Sequence, residues 1–269
     1  MHEDSGPGGY DYDVLVGKYA LQGGGLADTP ADAVGQKCRD AIELDLNRMA
    51  GDIDAIRALL WHYLASTPNS AYTQGMNFVA DVAVRFFNGG GAPQHGVVRP
   101  VAAERFASIM DAVPGLWSVE LPTLKNGASA FKKLKEKYLT KIADILDIDP
   151  HEGVLTGAWV GLFHQMLPSA YQKDAFEWVL AKGMPSLIAL TVAILEVNTD
   201  VLLRVDEMHR GGHLQKNLWN SPLWTQATQG RPATAPQVSR AALNDRVAAL
   251  LPESARWYKS FAAADATRS

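Results

Sequence analysis

A chain of 269 residues, 47% hydrophobic and 20% charged, carries enough apolar material for one large domain or two closely packed halves, which excludes disordered and fibrous classes. A net charge of -4 and a pI near 6.0 create no basic field for nucleic acid or anionic lipid. The single cysteine, Cys38, cannot close an internal disulfide, and no run approaches the roughly 18 apolar residues of a membrane span, so the expectation is a soluble, cytoplasmic protein.

The first residues, MHEDSGPGGYDYD, are acidic and glycine-rich, unlike a signal or transit peptide. Gly23-Gly24-Gly25 with Pro30 marks a loop, and from Asp32 onward the pattern turns helical. Within 53–64, Ile53, Ile56, Leu59, Leu60, Tyr63 and Leu64 recur at helical spacing and form one apolar face. Thr67-Pro68-Asn69-Ser70 ends that helix, because a residue before proline is pushed away from helical geometry. A second helix is predicted to start near Tyr72 and to turn Phe78, Val79, Val82 and Phe86 inward. Asn88-Gly-Gly-Gly-Ala-Pro93 reads as a surface loop.

Helical patterns resume over 101–113, 127–147, 153–166, 171–181 and 185–204, with almost no strand-like alternation. Residues 225–238 are poor in large apolar types and read as a linker. The stretch 239–262, with Leu243, Val247, Leu250 and Leu251, reads as a terminal helix. The class is therefore all-α, in an orthogonal or layered array rather than a simple bundle.

Two segments carry candidate chemistry. In Ile42-Glu-Leu-Asp45-Leu-Asn-Arg48, Asp45 and Arg48 stand three apart on a helix, where a carboxylate can orient a guanidinium. By itself this is the spacing of an ordinary surface ion pair, worth about 0.3–0.5 kcal/mol. The second segment, Tyr72-Thr-Gln74-Gly75-Met76-Asn77, is far more particular. A glutamine expected in a helix's first turn and followed by glycine has an uncrowded amide. The plainer alternative is that Gln74 caps the helix while Gly75 admits a close neighbour.

Together the segments resemble the TBC-domain family of Rab GTPase-activating proteins, in which Ile-x-x-Asp-x-x-Arg bears a catalytic arginine and Tyr-x-Gln a catalytic glutamine. Further similarity lies in Leu59-Leu60-x-x-Tyr63-x-x-x-x-Pro68-Asn69, in Trp159-Val-Gly-Leu-Phe163-His-Gln-Met-Leu167-Pro168, and in Phe176-Glu177 with Gly183 and Leu190–Leu195. It spans roughly residues 35–200 in the family's order. The family's basic-Trp opening is not recognisable in residues 1–35, its Trp-Asp pair appears as Phe176-Glu177, and Met49 follows the arginine where threonine is common. Gln74 comes 26 positions after Arg48, a shorter interval than the family usually has.

The resemblance implies an all-α TBC-type domain of two packed helical subdomains over 10–225 (halves 10–113 and 114–225), followed by a linker and helix over 226–269. It implies a GTPase activator with Arg48 and Gln74 as catalytic fingers, Asp45 and Tyr72 as positioning residues, and Gly75, Met76 and Asn77 as partner-binding residues. Asp45 would buttress Arg48, and Tyr72 would pack beneath the glutamine or touch the partner's switch region. The partner implied is a GTP-bound Rab of vesicle trafficking, reached at endomembranes only through that Rab. GTP and Mg²⁺ would be held by the partner, so no cofactor or metal is expected in this chain, and it has no Gly-x-x-x-x-Gly-Lys-Ser/Thr loop. The alternative is a catalytically silent TBC-like module that binds a GTPase or acts as a scaffold.

Remaining motifs are read blandly. His209-Arg-Gly-Gly-His213 has metal-like spacing, but two glycines interrupt any helix that would align the rings. Lys132-Lys133-Leu-Lys135-Glu-Lys137 reads as a solvated helix face, with docking of an acidic partner surface as the alternative. Trp61, Trp117, Trp159 and Trp178 are expected in the core.

Overall fold

The computed structural model describes residues 35–67, 70–88, 96–118, 122–143, 154–164, 167–204 and 239–266. The expected lead-in, the Pro68-Asn69 turn, the glycine-rich loop after Asn88, the histidine pair and the linker lie outside them. Among the described residues every regular element is a helix, as the apolar periodicity predicts. In chain order these are α1 (Gln36–Leu46), α2 (Ile53–Ser66), α3 (Met76–Phe87), α4 (Pro100–Ala112), α5 (Pro122–Tyr138), α6 (Val154–Val160), α7 (Ser169–Lys182), α8 (Met184–Val197), α9 (Thr199–Arg204) and α10 (Arg240–Ala266).

Local chemistry explains most boundaries. Asp52 caps α2 by accepting a hydrogen bond from the Ala55 N–H at 3.1 Å, and Thr67, the residue before proline, leaves the helix in an extended conformation. Pro100 opens α4, where its missing N–H would have had no partner. Gly183 separates α7 from α8 with φ +61, and a Cβ there would lie 2.7 Å from the Ala112 carbonyl oxygen. Glycine is needed both for the turn and for the close approach of α4.

Three expected helices end differently. The 185–204 pattern is split at Asn198, whose buried side chain donates from Nδ2 to the Ile194 carbonyl at 2.7 Å and competes with the helix's own bonding. The helix expected over 153–166 ends at Val160, because Leu162 and Phe163 adopt φ +46 and +58, which no right-handed helix accepts. The helix expected at 127–147 begins at Pro122 and stops at Tyr138.

The core has two groups of helices. α3 packs against α2 and α4 and is joined by α1, while α8 packs against α5 and α10. α7 touches α3, α4 and α8 and so links the groups. In α8, Met184 and every residue from Ser186 to Leu195 are buried, the signature of a helix surrounded by others. Trp159 and Trp178 are buried, whereas Trp61 and Trp117 are half-buried at the core's edge. Fully buried Phe106, Phe131, Phe163 and Phe176 each contribute about 1.5–3 kcal/mol of transfer free energy.

The terminal helix docks on this body. Leu243, Val247 and Leu250 of α10 are buried in the common core, and Glu253 accepts hydrogen bonds from Lys137 Nζ at 2.6 Å and the Tyr138 hydroxyl at 2.5 Å. Arg246 adds a two-pronged bond to Glu196 on α8, both contacts at 2.6 Å. Lys132 and Lys133 face solvent, as a solvated helix face should, while Lys137 is spent on Glu253. No described helix is long and apolar enough to cross a membrane.

Candidate functional site

The two motif segments lie side by side. α1 ends at Leu46, so Arg48 sits one residue past the cap rather than within the helix, in a turn closed by its N–H to the Asp45 carbonyl at 3.1 Å. Its side chain is 64% exposed, against 11% for Asp45, and Nη1 lies 3.9 Å from Asp45 Oδ1. That separation is a loose ion pair, enough to bias the guanidinium's direction without locking it.

Gln74 likewise falls outside its helix. Gly75 takes φ +107 and forms the cap of α3, so the helix begins at Met76 and Gln74 occupies an exposed turn before it. A Cβ on Gly75 would lie 2.7 Å from the Val160 carbonyl oxygen and 2.8 Å from Val160 Cγ2. Glycine here satisfies both a left-handed backbone and a tight approach by the end of α6. The close-neighbour role considered for Gly75 therefore describes its geometry, and Gln74 makes no side-chain cap.

Two side-chain bridges join the segments. The Tyr72 hydroxyl donates to Asp45 Oδ2 at 2.8 Å, and Asn77 Nδ2 donates to the Met49 sulfur at 3.0 Å. Burial, followed by the adjacent Asp45 carboxylate, pushes the Tyr72 phenol above its ordinary pKa, so it stays protonated and keeps its proton for Asp45. Asn77 also accepts the Gly75 N–H through Oδ1 at 3.1 Å. Arg48 is thus flanked by Asp45 and Met49, Gln74 by Tyr72 and Asn77, and each flank is tied across. Arg48 and Gln74 remain at the surface between the ties.

Tyr72 holds Asp45 through its hydroxyl. Gly75, Met76 and Asn77 are buried, so they scaffold the turn and offer no exposed contact surface. The sequence alone reads those three as partner contacts, because a motif read as letters does not say which letters face inward.

A polar network missed by the sequence reading lies beneath α3. Asp81 is 4% exposed and accepts from Arg85 Nε at 2.7 Å and from His164 Nε2 at 2.5 Å. Arg85 continues to Ser169 Oγ at 2.9 Å and Gln172 Oε1 at 2.5 Å, while Gln172 Nε2 donates to the Leu167 carbonyl at 2.6 Å. The His164 ring stacks on Phe78 with centroids 4.9 Å apart. A Cβ on Gly51 would come within 3.1 Å of Asp81 Oδ1, so the turn after Arg48 rides directly on this carboxylate. The network fixes α3 against α7 and the end of α6. Its available signal was the Asp81–Arg85 pair four apart on a predicted helix. Nothing in the sequence pointed to His164 or Gln172.

Chemically the site offers one exposed, permanently charged guanidinium and one carboxamide. Among the described residues no group of three or more His, Cys, Asp or Glu could hold a metal ion. Comparison of the chain with protein-family models gave no match, and comparison with curated proteins gave none either.

Proposed function

We propose that this chain is a TBC-type GTPase-activating module that acts in trans on a GTP-bound Rab-family GTPase. The reading rests on the two motifs and on one observation above all. Tyr72 bonds Asp45 and Asn77 bonds Met49, so the residues on either side of Arg48 are tied to the residues on either side of Gln74, and both fingers are left at the surface.

GTP hydrolysis passes through a loose transition state with charge spread over the γ-phosphoryl and bridging oxygens. Arg48 supplies a planar fork of donors for that charge, and its exposure lets it move into a partner's nucleotide site without first leaving a buried ion pair. Such a finger is worth about 10³–10⁵ in rate, or roughly 4–7 kcal/mol of barrier. Gln74 orients the attacking water. Asp45 biases the direction of Arg48, and Tyr72 holds Asp45. The nucleotide and Mg²⁺ belong to the partner, and any presence at endomembranes comes through the Rab.

The test is single-turnover GTP hydrolysis across a panel of Rab proteins with wild type, Arg48→Ala and Gln74→Ala. At least one Rab should be accelerated by wild type, and the acceleration should fall at least about 10³-fold for Arg48→Ala. Equal rates for wild type and Arg48→Ala refute the finger role. Binding of a GTP-loaded Rab without acceleration by wild type would instead favour the silent binding module.

A further inference from the structure

The Gln74 turn is held from outside its own motif, by a tryptophan more than forty residues away. Thr73 Oγ1 donates to the Trp117 carbonyl at 2.8 Å, and the same tryptophan donates from Nε1 to the Val160 carbonyl at 3.0 Å. Val160 is also the residue against which Gly75 abuts. One neighbour of Gln74 is therefore hydrogen-bonded to Trp117, and the other is pressed on the residue that Trp117 grips. Trp117 follows Pro114-Gly115, with Gly115 at φ +80.

The Val160 end of this clamp is itself held in an unusual conformation. Leu162 and Phe163 both have left-handed backbones, which L-residues adopt only when their surroundings impose it. Those surroundings are visible: both side chains are buried, the Phe163 N–H reaches the Ala158 carbonyl at 2.7 Å, and His164 is held by Asp81. A helix running on past Val160 would keep the Val160 carbonyl within its own bonding. The reversed turn frees that oxygen for Trp117.

We propose that Trp117 is a positioning residue that fixes the Gln74 carboxamide, acting through Thr73 on one side and through Val160 and Gly75 on the other. The catalytic part of this inference rests on the GTPase-activating reading; the ordering of Gln74 does not. A carboxamide that must orient a water gains from a turn that is ordered before the partner arrives, since misplacement by about 1 Å can cost on the order of 10²-fold. Trp117 affects turnover and leaves affinity for the GTPase alone.

The experiment uses the full chain with Thr73→Val, which keeps the shape and removes the donor, Thr73→Ser, which restores the hydroxyl, and Trp117→Phe, which removes the indole N–H. Heteronuclear ¹⁵N relaxation of the Gln74 amides is the readout that needs no activity. Thr73→Val and Trp117→Phe should raise the mobility of Gln74, with Thr73→Ser matching wild type. In the hydrolysis assay, kcat for Thr73→Val should fall about five- to tenfold at unchanged KM, and Thr73→Val should add nothing in a Gln74→Ala background. Unchanged Gln74 mobility in both Thr73→Val and Trp117→Phe overturns the clamp. So does an equal kcat loss with and without Gln74. If wild type accelerates no GTPase while the mobility changes occur, the clamp stands as the device ordering Gln74 and the proposed activity falls.

Discussion

Tyr72→Phe removes one hydroxyl from the joint between the two motif segments and leaves the aromatic ring in place. The lost contact is a 2.8 Å hydrogen bond to a carboxylate whose side chain is 11% exposed. Hydrogen bonds to charged groups contribute about 1.5–3 kcal/mol, and the abandoned Asp45 keeps, among the described residues, a loose and largely exposed Arg48 at 3.9 Å. A loss of about 2 kcal/mol follows, or a Tm lower by roughly 4–8 °C for a domain of this size.

The sign of the pH dependence gives a second handle. The Tyr72 pKa is raised on folding above its ordinary value of 10.0, so its contribution is fully present below about pH 10 and is lost as pH rises beyond it. Tyr171 and Tyr258 are raised as well, chiefly by burial, but they occur in both proteins and cancel in the difference. Urea unfolding of wild type and Tyr72→Phe at pH 7, 9, 10 and 11 should show a constant gap that narrows above pH 10. A gap below about 0.5 kcal/mol at pH 7, or one that widens at high pH, would refute the reasoning.

Three further outcomes test the surrounding structure. Gly75→Ala places a Cβ 2.7 Å from the Val160 carbonyl oxygen at φ +107, so thermal melts should show a loss of at least about 2 kcal/mol, while Gly157→Ala, with open space around its Cβ, should be nearly neutral. Leu250→Ala in α10 should cost about 2–5 kcal/mol by chemical denaturation, since Leu250 is fully buried between helices. The Glu253 carboxyl is held below its ordinary range, first by the Lys137 hydrogen bond and then by Tyr138, so its contribution is present above about pH 4.5 and lost as pH falls below that. Glu253→Gln should therefore flatten the acid limb of the stability profile, measured by circular dichroism between pH 3 and 6.

The helices were legible because their apolar residues keep a 3.6 period: the reading of 53–64 lands within two residues of Ile53–Ser66, and 101–113 within one of Pro100–Ala112. The ends failed where the decisive event is a backbone angle or a side-chain bond. Gly75 looks like a helical residue until its φ of +107 expels Gln74 from α3. Leu162 and Phe163 have no residue-type signature of a left-handed turn, and Asn198 breaks a helix through its own side chain. At the candidate site, the resemblance singles out Asp45, Arg48, Tyr72 and Gln74 as expectations. What joins them could not, because the Tyr72–Asp45 and Asn77–Met49 bonds cross 27 and 28 positions of chain, and Trp117 belongs to no motif.

The measurement closest to the central claim is complex formation with a GDP-loaded Rab in the presence and absence of a planar or trigonal phosphate mimic, read by gel filtration or calorimetry. Binding should appear only with the mimic, and both Arg48→Ala and Gln74→Ala should abolish it while retaining wild-type melting curves. Mimic-independent binding, or a mimic-dependent complex that survives Arg48→Ala undiminished, would contradict a transition state gripped by Arg48.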